Sequence, residues 1–172
     1  DLYEYGTIAK IIRVHDLPGG GKNVITQGLK RAKLLSLFEQ DDAIFAEVEE
    51  LEETLDKDDP EVKAFMLSLK QLAFKAAELS PNIPNEAVNF IREISSPSAL
   101  TDIIASNLDI TIEEKMELLE ELDVKRRMQR VTWLLTRQIE TLEISQKIQS
   151  EVKDEMDRGP VSYTHLRAHE TR

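Results

Sequence analysis

Apolar and polar positions change rhythm near residue 57. Before it the pattern is strand-like. Thr7 to His15 is rich in β-branched residues. Asp16-Leu17-Pro18-Gly19-Gly20-Gly21 then supplies the fixed and positive φ angles of a tight turn. Lys22 to Gln27 reads as the returning strand of a hairpin, and Gly28 as a bulge or corner. Leu34 to Phe38 and Ile44 to Leu51 read as further strands. In the last, Ile44, Ala46 and Val48 share one face while Glu47 and Glu49 point the other way.

After residue 57 the period becomes helical. Asp59-Pro60-Glu61 is a start signal, with an N-cap acid, a proline at the first helical position and an acid near the positive end of the dipole. Val62, Phe65, Met66, Leu69, Leu72, Ala73 and Ala76 follow the spacing of one buried stripe, which Ser80-Pro81 stops. Pro84 to Ile94 suits a short helix burying Ala87, Phe90, Ile91 and Ile94. Ser96-Pro97 starts another, with Leu100, Ile103, Ile104 and Leu108 inward. Thr111 and Glu114 form a capping-box pattern for a fourth. Asp123 caps the last helix, which the pattern carries to about Met156, on the order of 50 Å. Val124, Met128, Val131, Leu135 and Leu142 lie on one of its faces, but Ser145 and Gln149 continue that face. The second half therefore reads as a helix that leaves its bundle and projects.

The predicted architecture is α+β: a partial β-sheet subdomain over 1–57, a helical bundle over 58–122 and a long helix over 123–157. Residues 158–172 change character at Gly159-Pro160, where the helix is expected to have ended.

Composition narrows the function. The chain has 172 residues and a net charge of −11, which would repel nucleic-acid phosphates. The basic clusters Lys30-Arg31-Lys33 and Lys125-Arg126-Arg127-Arg130 read as a solvated strand edge and ordinary helix surface. With no cysteine, disulfides, thiolate metal sites and cysteine nucleophiles are excluded, which fits a reducing compartment. There is no apolar run long enough to cross a membrane and no signal-peptide pattern, and strand-like sequence begins almost at once, as if mid-structure.

The chemical motifs are incomplete. Gly19-Gly20-Gly21-Lys22 fails as a phosphate loop, because position 16 is Asp, Asn23 follows the lysine, and a strand rather than a helix comes next. His165 and His169 have helical metal-site spacing, but Leu166 stands where the zinc-protease motif needs Glu, and no third ligand is near. The acidic pairs Asp41-Asp42, Glu49-Glu50 and Asp58-Asp59 read as solvated loops and helix starts. No catalytic residue, metal ligand or cofactor-binding residue is assigned, and the chain reads as an interaction module.

Several segments in order resemble the N-terminal region of Lon proteases. Gly6-Thr7-Ile8-Ala9-Lys10-Ile11, Leu17-Pro18-Gly19 and Gly28-Leu29-Lys30-Arg31-Ala32-Lys33 look like strands and turns of the Lon β-subdomain. Leu79-Ser80-Pro81-Asn82-Ile83-Pro84 is similar to its interhelix link. Residues 96–106 and 113–120 look like the helices that follow, and Ile148 to Lys153 like the start of the helix leading to the ATPase. The resemblance implies a barrel-like (PUA-like) β part that begins upstream of Asp1, so that the sheet here is incomplete. It also implies a role in recognising unfolded or damaged proteins and in assembling a homohexamer. ATP, Mg and a Ser–Lys dyad are implied for domains that have no counterpart here. The implied setting is the bacterial cytoplasm ahead of the mitochondrial matrix, with no membrane and no nucleic acid as partner. Pro160 to Thr171 resembles translated adaptor sequence, so 158–172 is expected to be a non-native tail. The competing reading is a stand-alone Lon-like adaptor domain, which has no need of a projecting helix.

One candidate contact site follows. At about 100° per residue, Trp133, the only tryptophan, points opposite Val131 and Leu135, and Ile144 falls near the same face. That face either packs on another helix of the bundle or meets unfolded substrate or a neighbouring subunit.

Overall fold

A computed structural model describes residues 2–80 and 85–167, and the side-chain surroundings of 2–80 and 88–158. The expected interhelix link at 81–84, the placement of Ala87 and the pair His165/His169 therefore lie outside the described side chains.

Strands β1 (Tyr5–Leu17), β2 (Gly21–Gln40) and β3 (Ala43–Leu51) form an antiparallel meander in the order β1-β2-β3. The first turn uses Gly19 and Gly20 at φ +104° and +93°, conformations that L side chains avoid. The second is a two-residue turn with Asp41 and Asp42 at φ 51° and 59°, the type I′ geometry that matches strand twist.

Sequence rhythm broke β2 into two strands at Gly28. Instead it is one 20-residue strand. The register slips between Ile8 and Ala9, where Leu29 is extra, and again opposite Leu34 and Ser36, where Leu35 is extra. A bulge absorbs one residue without ending the ladder, so the interruption in pattern marks a bend and not a break. Gly28 sits beside the first bulge, where a Cβ would come within 3.2 Å of Thr7 Cγ2.

Among the described residues five helices follow: α1 (Pro60–Leu79), α2 (Asn85–Glu93), α3 (Pro97–Asn107), α4 (Ile112–Glu120) and α5 (Val124–Arg167). The starts of α1, α3, α4 and α5 are set by the expected caps. Asp59 accepts from Glu61 N–H at 2.8 Å, Ser96 from Ala99 N–H, and Asp123 from Arg126 N–H. Thr111 and Glu114 satisfy each other's backbone N–H groups as a capping box. The core is helical. Val62, Leu69, Leu100, Ile104, Leu118, Met128, Val131, Leu134 and Ile139 are buried, with Phe65, Met66, Leu72, Ile91 and Ile94 packed at the margin. Phe90, expected inward, is exposed. Only Ala32 of the described sheet residues is buried.

The last helix departs from expectation. It does not end near Met156 but continues through Gly159-Pro160 to Arg167. Proline's fixed φ is helical, so it removes one hydrogen bond and strains one turn without forcing the chain out of the helix. The expected projection is present: past Leu142 every described side chain of α5 is exposed. The last ties to the bundle are Lys75–Glu143 at 2.6 Å and Gln146 Nε2 to Leu79 O at 3.2 Å.

Candidate protein-interaction surfaces

The sheet meets the bundle through charge. Arg31 of β2 donates to both Asp102 oxygens at 3.0 and 2.8 Å, to Glu53 at 2.5 Å and to Leu119 O at 3.0 Å. Arg127 of α5 donates to the same Glu53 oxygen at 2.5 Å, to Ser98 Oγ at 2.9 Å and to Glu121 O at 2.8 Å. Ser98 in turn donates to the other Glu53 oxygen at 2.7 Å. Two guanidiniums and two carboxylates thus tie β2, the β3–α1 connection, α3, α4 and α5 in one network. Arg127 Nε lies 3.2 Å from Asp102 Oδ1 but finds no aligned acceptor, so the attraction there is charge alone. Burial works against ionisation of Glu53, yet the hydrogen bonds from Ser98 and Arg127 outweigh it and hold the carboxyl below its ordinary range.

Both arginines correct the surface reading of the basic clusters. The Arg127 side chain is 0% exposed and that of Arg31 11%. A charge can enter a core when it is paired and hydrogen-bonded, and Arg127 faces two carboxylates and bonds two neutral oxygens although its Nε bonds to none. Their partners lie far away in sequence, so local composition could not reveal them. One signal was available: Arg127 stands three residues after Val124 and four before Val131, on the buried face.

Above this network lies an open groove of about 900 Å³ between sheet and bundle. Thr7, Gly28 and Leu29 form one wall, Ala99, Ala105 and Met116 the other, and Lys30, Glu52 and Lys115 stand at the margin. Beyond it the sheet carries much exposed apolar surface. Ile11, Ile12, Val14, Val24, Ile25, Leu37, Ile44 and Val48 are uncovered, with Phe38 stacked on Phe45 at 5.7 Å. These side chains lie on both faces of the sheet and toward both ends of β2, since Val24 and Ile25, and Ile44 and Phe45, are neighbours in one strand. Uncovered apolar surface on this scale marks binding surfaces.

The candidate residue Trp133 is 52% exposed, so it is not a core side chain. Its ring lies between the guanidiniums of Arg130 and Arg137, at 4.8 and 4.9 Å from the centroid. Those arginines reach across to α4, at 3.3 Å to Glu117 and 2.9 Å to Glu114. The Thr111 N–H and Arg137 together lower the Glu114 pKa. Trp133 thereby braces α4 on α5 while leaving much of its surface free. Ile144 is exposed on the same outer side, about 16 Å further along the axis, so the two are not in contact.

Gly19-Gly20-Gly21-Lys22 is a hairpin turn leading into β2, with no helix N-terminus to hold phosphate. These residues do not fit ATP or its Mg. Among the described residues there is no cluster of three or more His, Cys, Asp or Glu placed to hold a metal.

Residues 1–137 match the family of the ATP-dependent protease La (LON) substrate-binding domain. The chain belongs to that family. It is 38% identical over 163 residues to the Lon protease of Anaeromyxobacter dehalogenans and 39% to that of Dictyoglomus thermophilum. Each alignment covers 95% of this chain but only 19% and 20% of the relative, so the chain spans about a fifth of the Lon proteases it matches. In structure it is similar to the N-terminal domain of the Mycobacterium avium complex Lon protease. That match has TM-score 0.65 and 29% identity, covering 77% of this chain and 70% of the other. The Lon N-terminal domain protein from Xanthomonas campestris shares the fold at TM-score 0.52 and 18% identity, over 75% and 66% of the two chains. This chain is therefore a Lon N-terminal substrate-binding domain, and its α+β order of sheet then helices is the Lon order.

Proposed function

We propose that this Lon domain captures unfolded or damaged polypeptides for an ATP-dependent serine protease and helps assemble that protease as a homohexamer. The observation that supports capture is the apolar surface left uncovered on both faces of the sheet, together with the open groove between sheet and bundle. An unfolded chain offers apolar side chains and unpaired backbone groups, and β1 and β3, the outer strands of the described sheet, can accept both. Hydrolysis of ATP and of peptide bonds belongs to other parts of the whole protein, with ATP and Mg bound there. Purified chain should show neither activity above a protein-free control.

The bacterial cytoplasm is the proposed setting, and the two relatives named above are bacterial. No described helix is long and apolar enough to cross a membrane. A stand-alone adaptor would also capture unfolded chains, but it would have no use for the outward run of α5, so the protease reading is preferred.

The test is binding of fluorescent, chemically unfolded casein to the chain, measured by anisotropy against a folded control protein. Phe38→Ser and Phe45→Ser, at exposed positions, should weaken binding several-fold. Equal affinity for folded and unfolded ligand, or no change in the double variant, would refute the capture role.

A further inference from the structure

The sheet is attached to the bundle at few points. Among the described residues, the buried hydrophobic core contains no side chain from β1, β2 or β3. β1 lies beside α4, but the one described sheet side chain that hydrogen-bonds the bundle is Arg31, to both Asp102 oxygens and to Leu119 O. Its remaining partner, Glu53, stands in the β3–α1 connection and is held from the bundle side by Arg127 and Ser98. Every acceptor of this guanidinium therefore stays with the helices if the sheet moves.

The connection itself is pinned. Thr54 N–H donates to Leu122 O at 2.9 Å, Val124 N–H donates to Thr54 O at 3.0 Å, and Leu55 packs on the core. β3 ends at Leu51, so only Glu52 and Glu53 lie between the sheet and that anchor. A hinge needs no more than a few residues at the end of an element. Bodies joined by a small, polar interface move relative to each other. One short span and one side chain thus make a hinge and its latch.

The groove opens on the latch side. Leu51, Leu118 and Leu119 line it between the two walls described above, and Leu118 is only 4% exposed. Turning the sheet away from α3 and α4 uncovers these leucines, which is unfavourable in water. It also breaks the contacts of Arg31, whose side chain is 11% exposed, so that salt screens them little. The free chain therefore stays latched. A polypeptide segment with enough apolar surface to cover the leucines binds the opened form better and shifts the population towards it. A polar segment gains nothing there and leaves the latch closed.

We propose that Arg31 is an ionic latch on a hinged sheet, and that it restricts the groove to chain segments apolar enough to open it. The selection rests on the capture role proposed above. The hinge does not, so the two fail separately.

The chain has no native cysteine, so spin labels can be placed at Asn23→Cys on the sheet and Gln129→Cys on α5, both exposed positions. Pulsed electron paramagnetic resonance of the 172-residue chain should give one narrow distance, at low and high salt alike. Arg31→Met and Asp102→Ala release the latch from either side and should each add a second population. Arg127→Met lowers the melting temperature but leaves Arg31 on Asp102, and should keep the single distance. Chemically unfolded casein should bind Arg31→Met several-fold more tightly than the unaltered chain, and at saturation should bring the unaltered chain to the second distance. A single distance in Arg31→Met overturns the latch. So does equal broadening in Arg127→Met, which would mean general loosening. A second population with casein affinity unchanged or weaker overturns the selective role. Casein that binds neither chain refutes capture and takes the selection with it, while the distances still decide the hinge.

Discussion

Arg127→Met tests whether the charge network carries the junction between sheet and bundle. Methionine keeps most of the volume, so the cavity contribution is small and the loss reports polar contacts. Three hydrogen bonds disappear, to Glu53, Ser98 and Glu121 O. Removing one partner of a buried ion pair costs about 3–5 kcal/mol, because the other charge is left behind. Here Glu53 and Asp102 are 29% and 39% exposed and still face Arg31, so water and the second arginine take part of the load. The low end applies, about 3 kcal/mol. For a chain of this size that is a fall in melting temperature of roughly 6–12 °C. Arg127→Lys should recover only a fraction, since one ammonium cannot reach three acceptors laid out for a planar fork. Circular dichroism during heating, with urea titration at neutral pH, gives both values. A loss below about 0.5 kcal/mol for Arg127→Met, the range of ordinary surface changes, would refute the reasoning.

Acid should act on the same network. The folded Glu53 pKa is lowered, so its stabilisation is complete above the unfolded carboxylate value and is lost as pH falls through the lower folded one. Stability measured from neutral pH down should drop below about pH 4.5, and less steeply in Glu53→Gln, which is weaker at neutral pH; parallel pH profiles would count against the assignment. Trp133→Ala should cost about 1–2 kcal/mol, the worth of two exposed cation–π contacts and partial burial, and a loss above about 3 kcal/mol by thermal melting would mean the ring is core after all. Asp42→Gly should stabilise by about 0.5–1 kcal/mol, because glycine has no steric penalty at φ 59°; a lower melting temperature would show that the Asp42 side chain does more than tolerate the turn.

The helical part was readable because its signals are local. Asp59-Pro60, Ser96-Pro97 and Thr111 with Glu114 each set a boundary within a few residues, and the stripes of α1 and α5 mark their own buried faces. The sheet was less readable. Ile44, Ala46 and Val48 alternate as a core face should, yet the face is uncovered, since alternation says which residues are alike and not what covers them. The site was harder still. Arg31 and Arg127 look like surface cations until the fold brings Glu53 and Asp102 to them across 22 to 74 positions of chain. Trp133 was named from its azimuth alone, and that azimuth is right. Its two arginine neighbours stand one turn to either side in the sequence, but spacing alone does not show that both guanidiniums pack on the ring.

Because α5 begins inside the core and ends outside it, one stiff rod has its fulcrum in the bundle. From Glu143 to Met156 the free arm is roughly 20 Å long at 1.5 Å per residue. A tilt of about 10° at the bundle would sweep its tip by roughly 3–4 Å, close to the width of a side chain. Side chains in a close-packed core resist such tilting, since a gap of even one methylene is felt. The packing of Met128, Val131, Leu134 and Leu135 therefore sets the aim of the arm as well as the stability of the bundle. A volume change at Leu135 could redirect whatever the arm touches while leaving every residue of the arm itself unaltered.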